Sequence, residues 1–172
     1  MRLFFALQLS KEATARLLPA LEGIGHASHL HFTLAFLGEQ PESSLALAEE
    51  AAAAVHAPAF DLAIGGTGAF PSLQRPRVLW LGVTEGAEQL CAIAEQLRGA
   101  LRERGFALED RPFRPHLTIA RAKDRGAARA LQRVPPGELA RMRASEICLV
   151  QSVLGKGGAK HTVLRAFPLE RG

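Results

Sequence analysis

The chain contains an internal repeat, and this repeat constrains its fold more than any other feature. Residues 30–35 (LHFTLA) align without a gap with residues 115–120 (PHLTIA). His, Thr and Ala are identical in the two segments, and the positions between them are apolar in both. A duplicated lobe leaves this kind of trace, so we expect two similar lobes that face each other across a shared cleft.

Each copy of the repeat predicts a strand with one polar face. Side chains alternate between the faces of a strand, so His31 and Thr33 would point the same way, as would His116 and Thr118. The apolar residues between them would point into the core. The two strands would therefore offer two imidazoles and two hydroxyls to one centre.

Such a set of groups suits displacement at phosphorus. An imidazole titrates near pH 6.5, so one can act as general base while the other, protonated, acts as general acid. Hydroxyls can donate hydrogen bonds to phosphate oxygens as charge develops on them. The scheme requires no metal, and we predict no cofactor.

The rest of the chain alternates between strand and helix patterns. We predict strands over residues 2–9, 30–37, 60–64, 78–83, 116–121, 147–154 and 162–167. We predict helices from Ser10 to about Leu21, from Pro41 to Val55, through the periodic residues Leu90, Ile93, Leu97 and Leu101, and from Asp124 to Leu131. Glycine clusters at 65–68 and 155–158 are predicted turns. The hairpin-like strand pairs indicate an α+β fold, with helices outside antiparallel sheets.

Several landmarks besides the repeat occur in an order that resembles one known family. They are Phe4-Phe5-Ala6-Leu7, Thr33-Leu34-Ala35-Phe36-Leu37-Gly38, Trp80-Leu81-Gly82, Arg111-Pro112-Phe113 before Pro115-His116, and Gly157-Gly158. Together with the paired H-x-T-x motifs, they are similar to those of the two-histidine phosphoesterases. The closest resemblance is to the bacterial and archaeal RNA 2′,3′-cyclic phosphodiesterases, also called 2′-5′ RNA ligases, and it extends over nearly the whole chain.

The resemblance implies a single two-lobed domain over residues 1–172, with pseudo-two-fold symmetry and antiparallel sheets lining a central cleft. It implies that His31 donates a proton to the leaving oxygen and that His116 accepts one from water. Thr33 and Thr118 match the family threonines that hold the phosphate. The implied reaction is hydrolysis of a terminal 2′,3′-cyclic phosphate of RNA to a 2′-phosphomonoester, with weak reverse ligation.

The roles of Arg121 and of Lys160-His161 in substrate binding are left open by this pattern. Arg121 is a candidate phosphate-binding residue, but a regular strand would place it on the face opposite His116 unless the strand bends. In the last hairpin, relatives often carry an aromatic residue where this chain has Lys160-His161. That change would alter how a terminal base or ribose is held.

A histidine cluster provides a possible metal site. His26, His29 and His31 are close in sequence, but no acidic or cysteine ligand lies nearby, so we expect adventitious binding and no functional metal.

Charge and composition favour an RNA terminus or a nucleotide as partner. The chain has a net charge of +4, and basic residues surround the second motif at Arg111, Arg114, Arg121, Lys123 and Arg125. Phe36, Phe70 and Phe113 could stack a base, although a phenylalanine usually belongs to the core.

Other features bear on where the protein acts. Cys91 and Cys148 form no paired motif, and no apolar run is long enough to span a membrane, so we expect a cytoplasmic protein. We expect a monomer, since nothing in the sequence demands more. Two alternatives remain open: a phosphodiesterase of small cyclic nucleotides or of an ADP-ribose cyclic phosphate, and a non-catalytic RNA-end binding module.

Overall fold

A computed structural model describes residues 1–24, 29–121 and 125–171 and shows an α+β fold with two four-stranded antiparallel sheets. The strands are β1 (Arg2–Gln8), β2 (His31–Glu39), β3 (Phe60–Pro71), β4 (Pro76–Glu85), β5 (Leu117–Arg121), β6 (Glu138–Ala144), β7 (Glu146–Gly155) and β8 (Gly158–Pro168). The α-helices are α1 (Lys11–Leu17), α2 (Leu45–Ala53), α3 (Ala87–Glu103) and α4 (Arg125–Gln132).

The two sheets have corresponding strand orders. The first runs β2-β1-β7-β8 and the second β5-β4-β3-β6, so the two motif strands, β2 and β5, are both edge strands. Each is paired to the strand that precedes it, across a connection that contains a helix. The edge strands β2 and β5 contact each other, so the sheets meet where the repeat lies. The predicted α+β class is confirmed.

One face of each sheet packs with the helices into the main core. The four periodic apolar residues of α3, Leu90, Ile93, Leu97 and Leu101, are all buried there, as predicted. Burying a leucine side chain stabilises the fold by about 1.5–3 kcal/mol, so this stripe fixes α3 against the sheets. Among the described residues, no helix combines the length and apolar character needed to cross a membrane.

The first helix begins where the sequence predicts and ends earlier. Ser10 accepts a hydrogen bond through its side chain from the Ala13 amide at 3.1 Å, which caps α1. The α-helix ends at Leu17, and a 3₁₀ turn covers Leu18–Leu21. Pro19 explains the change, since it has no N–H to continue the α-helical bonds.

The second helix begins later than predicted. Pro41 is extended, and a 3₁₀ turn over Glu42–Ser44 precedes α2. Asp124, the predicted start of the fourth helix, lies outside the described residues.

The glycine cluster at 65–68 is not a turn, and that prediction was wrong. These residues lie inside β3, which bulges between Ile64 and Thr67 where it pairs with β4. Gly66 has a φ of 80°, which only glycine adopts at little cost. A side chain on Gly65 would overlap the backbone of Gly137, so glycine at position 65 lets β3 approach the segment that precedes β6. The hairpin turn at 155–158 is confirmed between β7 and β8.

Candidate active site

The two copies of the repeat have the same order of exposure. In residues 31–36 and again in 116–121, the histidine is half-buried, the next residue buried, the threonine half-buried, the following two buried and the last exposed. This agrees with the predicted alternation, since the buried positions between and after the polar ones are apolar. His116 itself lies immediately before β5, one residue before the observed start of the strand.

Both motif strands carry a bulge at the equivalent position. Leu34 of β2 has no pairing partner in β1, and Ile119 of β5 has none in β4. A bulge places two residues of one strand opposite one residue of its neighbour, which resets the alternation of faces. Arg121 pairs with Val78, two residues from the partner of Thr118, so it lies on the motif face. The regular strand that would have placed it opposite His116 does not occur.

His31 is largely buried, between Phe4 and His161. Its ring centroid is 5.2 Å from that of Phe4 and 5.4 Å from that of His161, which in turn lies 5.0 Å from Phe4. Burial, and secondly the positive charge of His161, lower the pKa of His31 from 6.5 to about 4. The backbone of His29 partly offsets this shift, yet Nδ1 of His31 is buried without a hydrogen bond of acceptable geometry to any described residue.

His116 has a different set of neighbours. Its Nδ1 lies 2.7 Å from the carbonyl oxygen of Arg114. A carbonyl can only accept, so Nδ1 carries the proton and Nε2 of the neutral ring has the free lone pair. The ring packs edge-on against Phe70 at 5.1 Å and lies 6.5 Å from Trp80. An imidazole held in this tautomer is prepared to accept a proton.

Helix α3 anchors the segment that leads to His116. The guanidinium of Arg98 donates to the carbonyl oxygens of Glu109 at 2.7 Å and Arg111 at 3.0 Å. Arg102 donates to the same Glu109 oxygen at 3.1 Å. Position 112 is a proline, which restricts the backbone further, so the approach to His116 is held by a helix of the main core.

The two threonines stand ready for a ligand. Thr33 and Thr118 are half-buried, and neither hydroxyl forms a hydrogen bond with another described residue. Nε1 of Trp80, beside His116, is also buried without a partner in the described part of the chain. A buried polar atom without a partner, such as Nε1 of Trp80, is rare in folded proteins and calls for a partner such as water or ligand. The half-buried threonine hydroxyls are free to bond to either.

Trp80 packs over Gly68, and a substitution at Gly68 can test whether this packing positions the residues around His116. A Cβ atom at position 68 would overlap the Trp80 ring, which also packs on Phe70 at 5.3 Å. We expect Gly68→Ala to displace Trp80, destabilise the fold by about 1–3 kcal/mol and lower activity through His116. Trp80 is the only tryptophan, so its fluorescence in a urea titration reports both effects.

A matched control for this substitution lies in α3. A Cβ at Gly99 would meet no atom within 4 Å, so Gly99→Ala should leave Trp80 fluorescence unchanged and stabilise the helix by up to about 1 kcal/mol. Identical fluorescence and stability for Gly68→Ala and the wild-type protein would contradict the packing described for Trp80.

The remaining predicted features are placed only in part. Within residues 1–24, 29–121 and 125–171, no three His, Cys, Asp or Glu side chains are arranged to hold a metal ion. His26 and Lys123 lie outside the described residues, as does the side chain of Arg125. Arg111 and Arg114 are exposed, and Arg111 pairs with Glu109 at 3.5 Å.

Comparisons with known proteins agree with this geometry. The model of the 2′-5′ RNA ligase superfamily matches residues 10–156. An RNA 2′,3′-cyclic phosphodiesterase from Archaeoglobus fulgidus is 33% identical over 177 residues, covering 97% of this chain and 99% of that protein. The crystal structure of TT0787 of Thermus thermophilus is 34% identical, with a TM-score of 0.83 and 99% of each chain covered. Escherichia coli LigT complexed with phosphate is 28% identical, with a TM-score of 0.79, covering 99% of this chain and 98% of that one.

The paired motif strands and the antiparallel sheets thus define a phosphoesterase fold of two related halves. The match over most of the chain makes the assignment specific: the chain belongs to the 2′-5′ RNA ligase superfamily.

Proposed function

We propose that this chain is an RNA 2′,3′-cyclic phosphodiesterase that opens the cyclic phosphate to a 2′-phosphomonoester, with His31 as proton donor and His116 as proton acceptor. The observation that carries the proposal is the repeated His-Thr face on two contacting edge strands. The RNA 2′,3′-cyclic phosphodiesterases that are 31–37% identical over nearly the whole chain support it.

The proposed reaction is a single displacement at phosphorus. Nε2 of His116 takes a proton from water as the water oxygen bonds to phosphorus. The bond from phosphorus to the 3′ oxygen breaks, and His31 protonates that oxygen as it leaves. The hydroxyls of Thr33 and Thr118 and the guanidinium of Arg121 hydrogen-bond the remaining phosphate oxygens, whose charge grows in the transition state.

The low pKa of His31 fits this role once the substrate is present. A proton donor must be protonated, yet in the free protein burial holds the pKa of His31 at about 4. The cyclic phosphate brings a negative charge next to the ring, and an opposite charge favours the imidazolium. Substrate binding therefore raises the pKa of His31, which favours the protonated form in the complex that uses it.

The proposal also covers the substrate, the cellular location and the oligomeric state. The net charge of +4 and the exposed Arg111 and Arg114 before His116 favour an RNA terminus over a neutral partner. Residues 1–172 form one two-lobed domain that acts as a cytoplasmic monomer without a metal, with both cysteines reduced. Reverse 2′-5′ ligation is a minor activity of the same site.

The test uses a short RNA that ends in a 2′,3′-cyclic phosphate, with excess chelator present. We expect conversion to the 2′-phosphate, separated by chromatography from the 3′-phosphate standard. Loss of turnover in chelator would refute metal independence. Turnover of mononucleotides alone would favour a phosphodiesterase of small cyclic nucleotides, and tight binding without turnover would favour an RNA-end binding module.

A further inference from the structure

A third imidazole packs against the proposed proton donor. The ring of His161 lies 5.4 Å from that of His31 at an interplanar angle of 74°, and 5.0 Å from that of Phe4 at 70°. His161 is half-buried on β8, at the edge of the first sheet that lies opposite β2. No step of the proposed reaction uses this ring.

The strand pairing brings His161, and not its neighbour Lys160, to the motif face. His161 pairs with Ser152, and Ser152 pairs in turn with Arg2. Arg2 lies two residues from Phe4 on the same face of β1, so His161 shares the face that carries Phe4. Lys160 precedes His161 in a regular part of the hairpin and therefore lies on the opposite face.

The two histidines of the repeat meet different side chains at their edges. Phe70 packs edge-on against His116, at 5.1 Å and 88°. The corresponding edge-on partner of His31 is His161, at 5.4 Å and 74°. A phenyl ring is never charged, whereas an imidazole takes up a proton near neutral pH. His31 thus has a titrating ring where His116 has a neutral one.

No anion compensates a positive charge on this pair of imidazoles. His29, before β2, lies 6.5 Å from His161 and can itself become positive, and Arg2 is the charged residue that faces them from β1. On β7 the facing titratable group is Cys148, whose thiol pKa is raised to about 11, mainly by burial. Within the described part of the chain, no carboxylate shifts the pKa of His31 or His161.

His31 and His161 therefore compete for a proton. Two positive charges 5.4 Å apart in a partly buried site repel each other, so a proton on one ring disfavours a proton on the other. His161 is the less buried of the two, so it takes up a proton first as pH falls. The proposed reaction needs the proton on His31.

We propose that His161 is a positioning residue that packs edge-on against His31 and, when charged in acid, competes with it for the proton that the reaction uses. This inference rests on the proposed function, because it takes His31 as the proton donor. His161 forms no bond to the substrate in this scheme and acts only through the protonation of its neighbour.

The test measures kcat/KM for a 2′,3′-cyclic phosphate at pH 5 and pH 7.5, because kcat/KM reports the protonation of the free enzyme. His161→Phe keeps a ring that cannot be charged. We expect it to match the wild-type protein at pH 7.5 and to exceed it about 5-fold at pH 5. His161→Gln, which is also neutral, should show the same relative gain in acid. Equal ratios of variant to wild type at the two pH values would overturn the proposal, because a purely structural role would change both alike.

His56→Gln is the control for removing an imidazole elsewhere. The side chain of His56 is 77% exposed and pairs with Glu170 at 3.5 Å, away from both motifs. Its ratio to the wild-type kcat/KM should be the same at pH 5 and pH 7.5. A gain at pH 5 in this variant as well would overturn the assignment of the effect to His161.

Failure of the proposed function would give a different result. In that case the wild-type protein would turn over no cyclic phosphate at either pH, and the competition would be judged in the free protein. An NMR titration of isotope-labelled histidines measures it directly. A higher pKa of His31 in His161→Phe than in the wild-type protein would support the competition, and the same pKa in both would refute it.

Discussion

Replacing His116 or His31 with alanine is expected to lower kcat on a 2′,3′-cyclic phosphate by at least ~100-fold, the usual contribution of an acid–base catalyst. The two losses have different causes, because His116 activates water and His31 protonates the leaving oxygen. His56→Ala is the matched control: its side chain is 77% exposed and pairs with Glu170 at 3.5 Å, outside both motifs. It should keep full activity.

The two roles can be separated with a second substrate. A nitrophenyl phosphodiester releases a stable phenolate that needs no proton, so His31→Ala should lose little activity on it. His116→Ala should lose activity on both substrates and recover part of it as pH rises, because hydroxide replaces the activated water. If His31→Ala loses as much on the nitrophenyl ester as on the cyclic phosphate, His31 is not the proton donor.

The sequence predicts the motif face because the signal is local. Alternation over three residues suffices to place His31 with Thr33, and the repeat extends the same argument to the second strand. Similar short segments in two halves of a chain also predict corresponding places in two sheets. The edge positions of β2 and β5 agree with this reasoning.

The position of Arg121 could not be predicted in the same way. It depends on the bulge at Ile119, which is a property of the pairing between two strands. The same bulge at Leu34 exposes Phe36, which the sequence left among three equal candidates for stacking. The bulge that the two motif strands share can be recognised only when the pairing of β2 with β1 and of β5 with β4 is known.

Long-range packing also explains the role that the sequence missed for His161. The change from an aromatic residue is visible in the sequence, but its consequence is not. β8 pairs with β7, and β7 pairs with β1, which brings His161 to Phe4 and His31. A strand near the end of the chain thus adds to the effect of burial on the pKa of a histidine near its beginning.

Strand β6 was missed although its signal is present. Ala140, Met142 and Ala144 alternate with Arg141 and Arg143, which is the pattern of an edge strand with one buried face. Two arginines in seven residues gave the segment a polar appearance. Their charges are compensated across the sheet, where Arg143 meets Asp61 at 3.2 Å.

The burial of His31 should make the stability of the protein depend on pH. The pKa of His31 is lowered in the folded state to about 4, whereas the unfolded chain titrates near 6.5. Between these values the unfolded state binds a proton that the folded state does not. The contribution is therefore complete above pH 6.5 and is lost as pH falls toward 4.

We expect the free energy of unfolding of the wild-type protein to fall between pH 7 and pH 4 by about 3 kcal/mol more than that of His31→Asn. Urea unfolding of both proteins at the two pH values measures the difference. The pKa of His161 is also lowered by burial and by His29. His161 is present in both proteins, so only its coupling to His31 enters the difference. If the free energy of unfolding falls equally with pH in the wild-type protein and in His31→Asn, burial does not lower the pKa of His31. The proposal that the substrate raises a lowered pKa would then be wrong.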